Sequence, residues 1–210
     1  MEMVVITTMG RTMIPQMSTS MVLPPFVGDD PGMKASMSPY DVTMLALVER
    51  FASSIERVAI LRGLLSYRRA LFQIGLVDGY QWLDGSFVED VEASRKRAPK
   101  DIDIVTFASS PADATERMTW FRANTNLFDA RKTKQAFMCD AYFVDFRKRA
   151  DLLVDDARYW FGLFSHQRGT TLWKGMLKVP MLSDEAGDDP ALTLLNMLAT
   201  NLEADNAQET

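Results

Sequence analysis

Apolar residues recur at spacings of three and four through Val42, Leu45, Val48, Ala52, Ile55 and Val58. That spacing places them along one side of an α-helix, so a helix with a buried face is predicted there. Ser38-Pro39-Tyr40-Asp41 reads as its start, with Ser38 as cap, Pro39 at the first helical position and Asp41 completing a capping-box pattern. A break near Gly63 separates a second helix that carries Leu64, Leu65, Tyr67, Leu71 and Phe72 and ends near Gly75.

The period then shortens. Residues 80–84 read as a short strand, followed by Gly85-Ser86 and a charged connection over 88–100. Residues 101–107 alternate acids with β-branched residues, as a half-exposed strand does. Ser110-Pro111 restarts a helix that runs to about Asn124. Residues 136–146 are strongly β-prone, 151–163 read as helix, and 172–182 as a final strand with Pro180 at an edge or near its end. The order of helices and strands predicts an α/β or α+β domain, with a small mixed sheet flanked by helices. Residues 1–37, rich in Met, Ser, Pro and Gly, read as an extended arm, 38–182 as the domain, and 183–210 as an acidic tail with a short helix over 191–202. The dense early methionines leave the true start open, with folding beginning near Val22.

Composition sharpens this picture by exclusion. The 210 residues are 47% hydrophobic and 24% charged, values of a globular domain with a sizeable core. The net charge of −5 lacks the global basic excess of a bulk nucleic-acid binder, although local basic runs remain. One cysteine, Cys139, rules out an internal disulfide, and together with one histidine, His166, it rules out a Cys/His zinc site. A reduced, cytoplasmic setting is expected, with no signal peptide and no membrane span.

Candidate chemistry sits at the acids. In a strand, Asp101 and Asp103 share one face while Ile102 and Ile104 take the other. Two like charges so close are costly without a cation, and oxygen-only ligands suit Mg²⁺. Gly85-Ser86, directly after an apolar strand, offers backbone N–H groups and a hydroxyl to a phosphate at a helix start. Asp140, within an apolar β-prone run, is expensive without a partner and is a third candidate carboxylate. Asp145 differs from it in pleat parity, should face the opposite side, and is the runner-up.

Taken together, Trp82-Leu83-Asp84-Gly85-Ser86-Phe87, the fourteen-residue linker 87–100 and Asp101-Ile102-Asp103-Ile104-Val105 resemble the active-site signature of the polymerase-β nucleotidyltransferase superfamily. The resemblance extends to the Leu23-Pro24-Pro25 arm, Arg57, Arg62, Arg168-Gly169 and Lys174-Gly175, as in small bacterial nucleotidyltransferase-like proteins, some of them toxins or phage-defence effectors. It implies a nucleotidyltransferase fold and Asp101, Asp103 and Asp140 as catalytic ligands of two Mg²⁺ ions. It further implies Gly85, Ser86 and Lys100 as nucleotide-binding residues and an NTP as substrate. The implied reaction is transfer of NMP to a tRNA or a protein hydroxyl. An antitoxin or another defence-complex protein is an implied partner.

Two other classes stand beside this expectation. One is a catalytically degenerate nucleotidyltransferase fold acting as a binding or assembly subunit. The other is a metal-dependent phosphohydrolase, ranked last because a single histidine leaves no His-Asp cluster. The basic runs Arg95-Lys96-Arg97 with Lys100, Arg131-Lys132 with Lys134, and Arg147-Lys148-Arg149 are read first as solvated surface, with contact to triphosphate or RNA as the other reading, and His166 as structural. Trp120, Trp160 and Trp173 are read as core or interface aromatics.

Overall fold

The computed structural model describes residues 14–113, 115–182 and 186–208. The Met-rich stretch 1–13, where the starting methionine was left open, lies outside the described residues.

Five strands form one mixed sheet: β1 (Tyr40–Asp41), β2 (Gly79–Asp84), β3 (Ile102–Ala108), β4 (Cys139–Asp145) and β5 (Leu177–Pro180), in the order β1-β5-β2-β3-β4. β2 runs antiparallel to both β3 and β5, whereas β3–β4 and β1–β5 are parallel. Seven α-helices accompany the sheet among the described residues: α1 (Met44–Phe51), α2 (Ile55–Gln73), α3 (Val91–Arg95), α4 (Arg117–Ala123), α5 (Ala130–Phe137), α6 (Ala150–Phe164) and α7 (Asp189–Gln208). The fold is the mixed α/β, or α+β, arrangement that the element order predicted.

Strand parity sorts the core into two layers. Leu83, Ile102, Ile104, Cys139, Ala141, Leu177 and Val179 point to one face and pack with α1, α2 and α7 in the larger cluster. Trp82, Val105, Phe107 and Val144 point to the other and pack with Trp160 and Phe164 of α6. β3 is therefore covered on both faces rather than half exposed.

Several boundaries differ from the sequence reading, each for a tertiary reason. Tyr40 and Asp41 are taken into the sheet beside Leu177 and Lys178, so the first helix starts at Met44. Its cap is Thr43, whose hydroxyl accepts from Ala46 N at 3.1 Å, and Leu45 faces solvent. The helices separate at 52–54, where Ser54 caps α2 by accepting from Arg57 N. Gly63 lies inside α2, where a Cβ would fall 1.9 Å from the carbonyl oxygen of Phe137. Among the described residues of the expected 110–124 helix, only Arg117–Ala123 is helical. The run at 136–146 is split: Ala136 and Phe137 end α5, a helix absent from the sequence reading, and Met138 in the left-handed region (φ 57°) turns the chain into β4. Pro180 does end its strand, but β5 is interior because β1 covers it.

The flanks are built in. Leu23 of the arm is fully buried, and Gly175 N donates to its carbonyl at 2.8 Å. The tail helix α7 is longer than expected and buries Ala191, Leu195 and Ala199 at four-residue spacing in the main core. No helix among the described residues is long and apolar enough to cross a membrane.

Candidate functional site

Three adjacent strands bring carboxylates to the face that α6 partly covers. Asp84, the last residue of β2, stands opposite Asp103 in β3, and Asp103 is in parallel register with Asp140 in β4. Asp101 immediately precedes β3. Its Oδ2 lies 2.6 Å from Lys134 Nζ, and Asp140 Oδ2 lies 3.7 Å from the same ammonium. The three acids singled out in the sequence therefore meet. Asp145 points to the other face, as its parity requires. There it accepts from Ser110 Oγ at 2.8 Å and from Arg147 N at 3.0 Å, fixing the loop after β3 to the end of β4.

The site is electrostatically unbalanced. Burial, then the charges of Asp101 and Asp140, push the Asp103 carboxyl up to about 6. Burial likewise lifts Asp84 to about 7, against the pull of Lys174. Lys174 Nζ lies 2.9 Å from Asp84 Oδ1 as an ion-pair contact without hydrogen-bond geometry. It donates to Glu89 Oε1 at 2.9 Å. Burial disfavours the charge on Lys174, but Asp84 and Glu89 outweigh it and hold the ammonium above its ordinary value. The hydrogen bond to Asp101 raises Lys134 in the same direction.

The turn between β2 and the linker is set by Gly85. Its φ of +84° favours glycine, and a Cβ would fall 2.1 Å from Asp103 Oδ2, so only a bare backbone can approach the acid this closely. Ser86 follows in a single 3₁₀ turn, Ser86–Val88, instead of opening a long helix. Any phosphate contact there would come from the turn's own N–H and hydroxyl groups, without a helix dipole. Two buried cations support this turn. Lys174 Nζ lies 3.4 Å from the Gly85 carbonyl. Arg57 donates to the carbonyls of Phe87 and Glu89 at 2.7 and 2.8 Å and pairs with Glu92 in α3. Lys100 is exposed one residue before Asp101. Arg168, on the turn after α6, lowers the carboxyl of Asp103 slightly.

Lys134 and Lys174 are the site residues whose roles sequence reasoning missed. Lys174 did carry a signal: a lysine inside the apolar run 172–182 needs an acidic partner if buried. Lys134 was read with Arg131 and Lys132 as solvated surface first, because the helix that carries it to the acids was not foreseen. Two other basic residues are engaged locally: Lys148 with Asp156 at 2.6 Å, and Arg147 with the carbonyl of Ala112 at 2.6 Å. His166 is structural in its contacts, with Nδ1 3.0 Å from both Ser165 Oγ and the Gly162 carbonyl.

Among the described residues no group of three or more His, Cys, Asp or Glu side chains is disposed, as it stands, to hold a metal ion. The donor set nonetheless fits a hard divalent cation in kind. It is all oxygen, it lies on neighbouring strands in register, and the charge of Asp103 remains under-compensated with Lys134 in place.

No curated protein and no solved structure matches the chain. A family of unknown function, DUF6932, matches residues 15–180, which include every candidate acid, the Gly85-Ser86 turn, Lys134 and Lys174. The match spans well over half of the sequence, and the chain belongs to that family.

Proposed function

We propose that this protein is a Mg²⁺-dependent nucleotidyltransferase that moves NMP from an NTP to a hydroxyl of an RNA, such as a tRNA, or of a protein. The observation that carries the reading is the register pairing of Asp103 with Asp140, with Asp101 and Asp140 sharing Lys134. Three carboxylates from two separate parts of the sequence gathered at a glycine turn are the arrangement that triphosphate chemistry needs.

Asp101, Asp103 and Asp140 would hold the cations, which when bound neutralise phosphate charge and lower the pKa of the acceptor hydroxyl. Gly85 lets the backbone approach this corner without a side chain, and Ser86 offers its hydroxyl to the β- and γ-phosphates. Lys174 and Arg57 keep the turn in place from below. The acceptor oxygen bonds to the α-phosphorus, the α–β bridging P–O bond breaks, and pyrophosphate leaves with the electron pair. The hydroxyl proton passes to solvent or a site carboxylate.

The test is incubation with each α-labelled NTP, Mg²⁺ and total RNA or lysate, followed by location of the label. Asp101→Ala combined with Asp103→Ala should lower incorporation by on the order of 100-fold or more, with circular dichroism unchanged. Undiminished labelling by this folded double variant would sink the mechanism. A role as toxin or defence effector, with an antitoxin-like protein partner, extends the same proposal. It predicts growth arrest on expression that the double variant relieves.

A second reading, a nucleotide-binding or assembly subunit without turnover, is favoured by the ammonium of Lys134 among the acids. It predicts nucleotide binding with no label transferred to any acceptor.

A further inference from the structure

We propose that Lys134 is a built-in counter-ion of the acidic site, which a divalent cation must displace, so that this lysine sets both the cation affinity of the site and its stability when empty. The inference rests on the metal site of the proposed nucleotidyltransferase and asks what holds that site together before a cation arrives.

Lys134 Nζ touches Asp101 Oδ2 at 2.6 Å and reaches Asp140 Oδ2 at 3.7 Å, joining the residue before β3 to the second residue of β4. It thus sits where a bridging cation would have its ligands. One ammonium is a weak substitute. It has a single charge and three directed protons, and its ion-pair partners are Asp101 and Asp140 but not Asp103. A dication with oxygen ligands would compensate more of the cluster.

The surrounding structure confines the exchange to one side chain. α5 is capped by Asp129, its Thr133 is fully buried and accepts from Ala141 N, and the Phe137 carbonyl is pressed against Gly63. The backbone that carries Lys134 is therefore fixed. The Lys134 side chain is half exposed, so its ammonium can rotate into water without unpacking anything. Its removal from Asp101 and Asp140 is an exposed ion-pair loss, a small barrier that a dication overcomes.

The exchange is tested by Mn²⁺ titration, followed by electron paramagnetic resonance and by calorimetry, with no nucleotide present. Lys134→Met should bind Mn²⁺ roughly threefold to tenfold more tightly than the unaltered protein, the range that loss of one or two exposed ion pairs gives. Lys134→Met should also melt lower without metal and gain more in Tm on Mn²⁺ addition. Lys132→Met serves as the control. Lys132 lies on the same helix, but its ammonium bonds Asn126 Oδ1 and not the acids. Equal affinity in the unaltered protein and Lys134→Met would overturn the proposal, while leaving the metal site intact. The same holds if Lys132→Met tightens binding as much, since the effect would then be one of general charge. Absence of millimolar Mn²⁺ binding in every variant would instead remove the metal site, and with it the nucleotidyltransferase reading.

Discussion

Asp103 carries an energetic penalty that its position explains. When folded its carboxyl holds a proton up to about pH 6, against an ordinary value of 3.8. Between those values the native state binds more protons than the unfolded chain, so stability rises as pH falls through this window, and the ionised form is unfavourable above it. Asp103→Asn should therefore stabilise the metal-free protein at pH 7 by about 1–3 kcal/mol and flatten its stability between pH 7 and pH 4. Urea unfolding at several pH values checks this, and a steeper profile in the variant would contradict it. The face shared by Asp101 and Asp103 was readable from the sequence, because a period of two requires it. The repulsion between those two acids was readable as well; the larger cause, burial beneath distant segments, and the added charge of Asp140 were not.

At the scale of elements, α2 and α5 show where local rules mislead. A glycine within a helix costs about 1 kcal/mol relative to alanine, so Gly63 reads as a break. Its lack of a side chain is instead what lets the Phe137 carbonyl approach. Gly63→Ala, which would stabilise an isolated helix, should here destabilise the protein by more than about 2 kcal/mol, visible as a lower Tm. Because α5 would have to move, Mn²⁺ affinity should change as well. α5 itself escaped notice because its eight residues, ARKTKQAF, are too few to show a period, and its last two merge with the β-prone run that follows. β2 and β3 were legible because β2 ends at a glycine turn and β3 begins at paired acids. β1 was hidden because two residues acquire strand character only when β5 lies beside them.

At the scale of the whole molecule, the tail belongs to the body. Arg68, almost fully buried, donates from Nε to Asp188 Oδ2 at 2.6 Å, from one terminal nitrogen to Gln81 Oε1 at 2.7 Å, and from the other to the Pro180 carbonyl at 2.8 Å. It ties α2, β2 and β5 to the entry of α7. Arg68→Met should cost about 3–5 kcal/mol, because it strands Asp188 and Gln81 without their partner, and thermal unfolding should register it as a large loss. Truncation after Leu182 should be at least as damaging, since Leu195 and Ala199 leave the main core with it. An acidic, polar composition suggested a peripheral tail. The four-residue spacing of Ala191, Leu195 and Ala199 was the contrary signal, diluted by the exposed Leu192, Thr193, Asn196 and Met197 between them.

The contact between Gly85 and Asp103 carries a consequence for descent. A side chain at position 85 and a carboxylate at position 103 would claim the same space, so the two residues can be inherited only as a pair. Across the members of DUF6932, substitution of the glycine should accompany loss or relocation of the acid. Those two positions alone would then sort the family into members that keep the glycine–acid corner and members that keep only the fold.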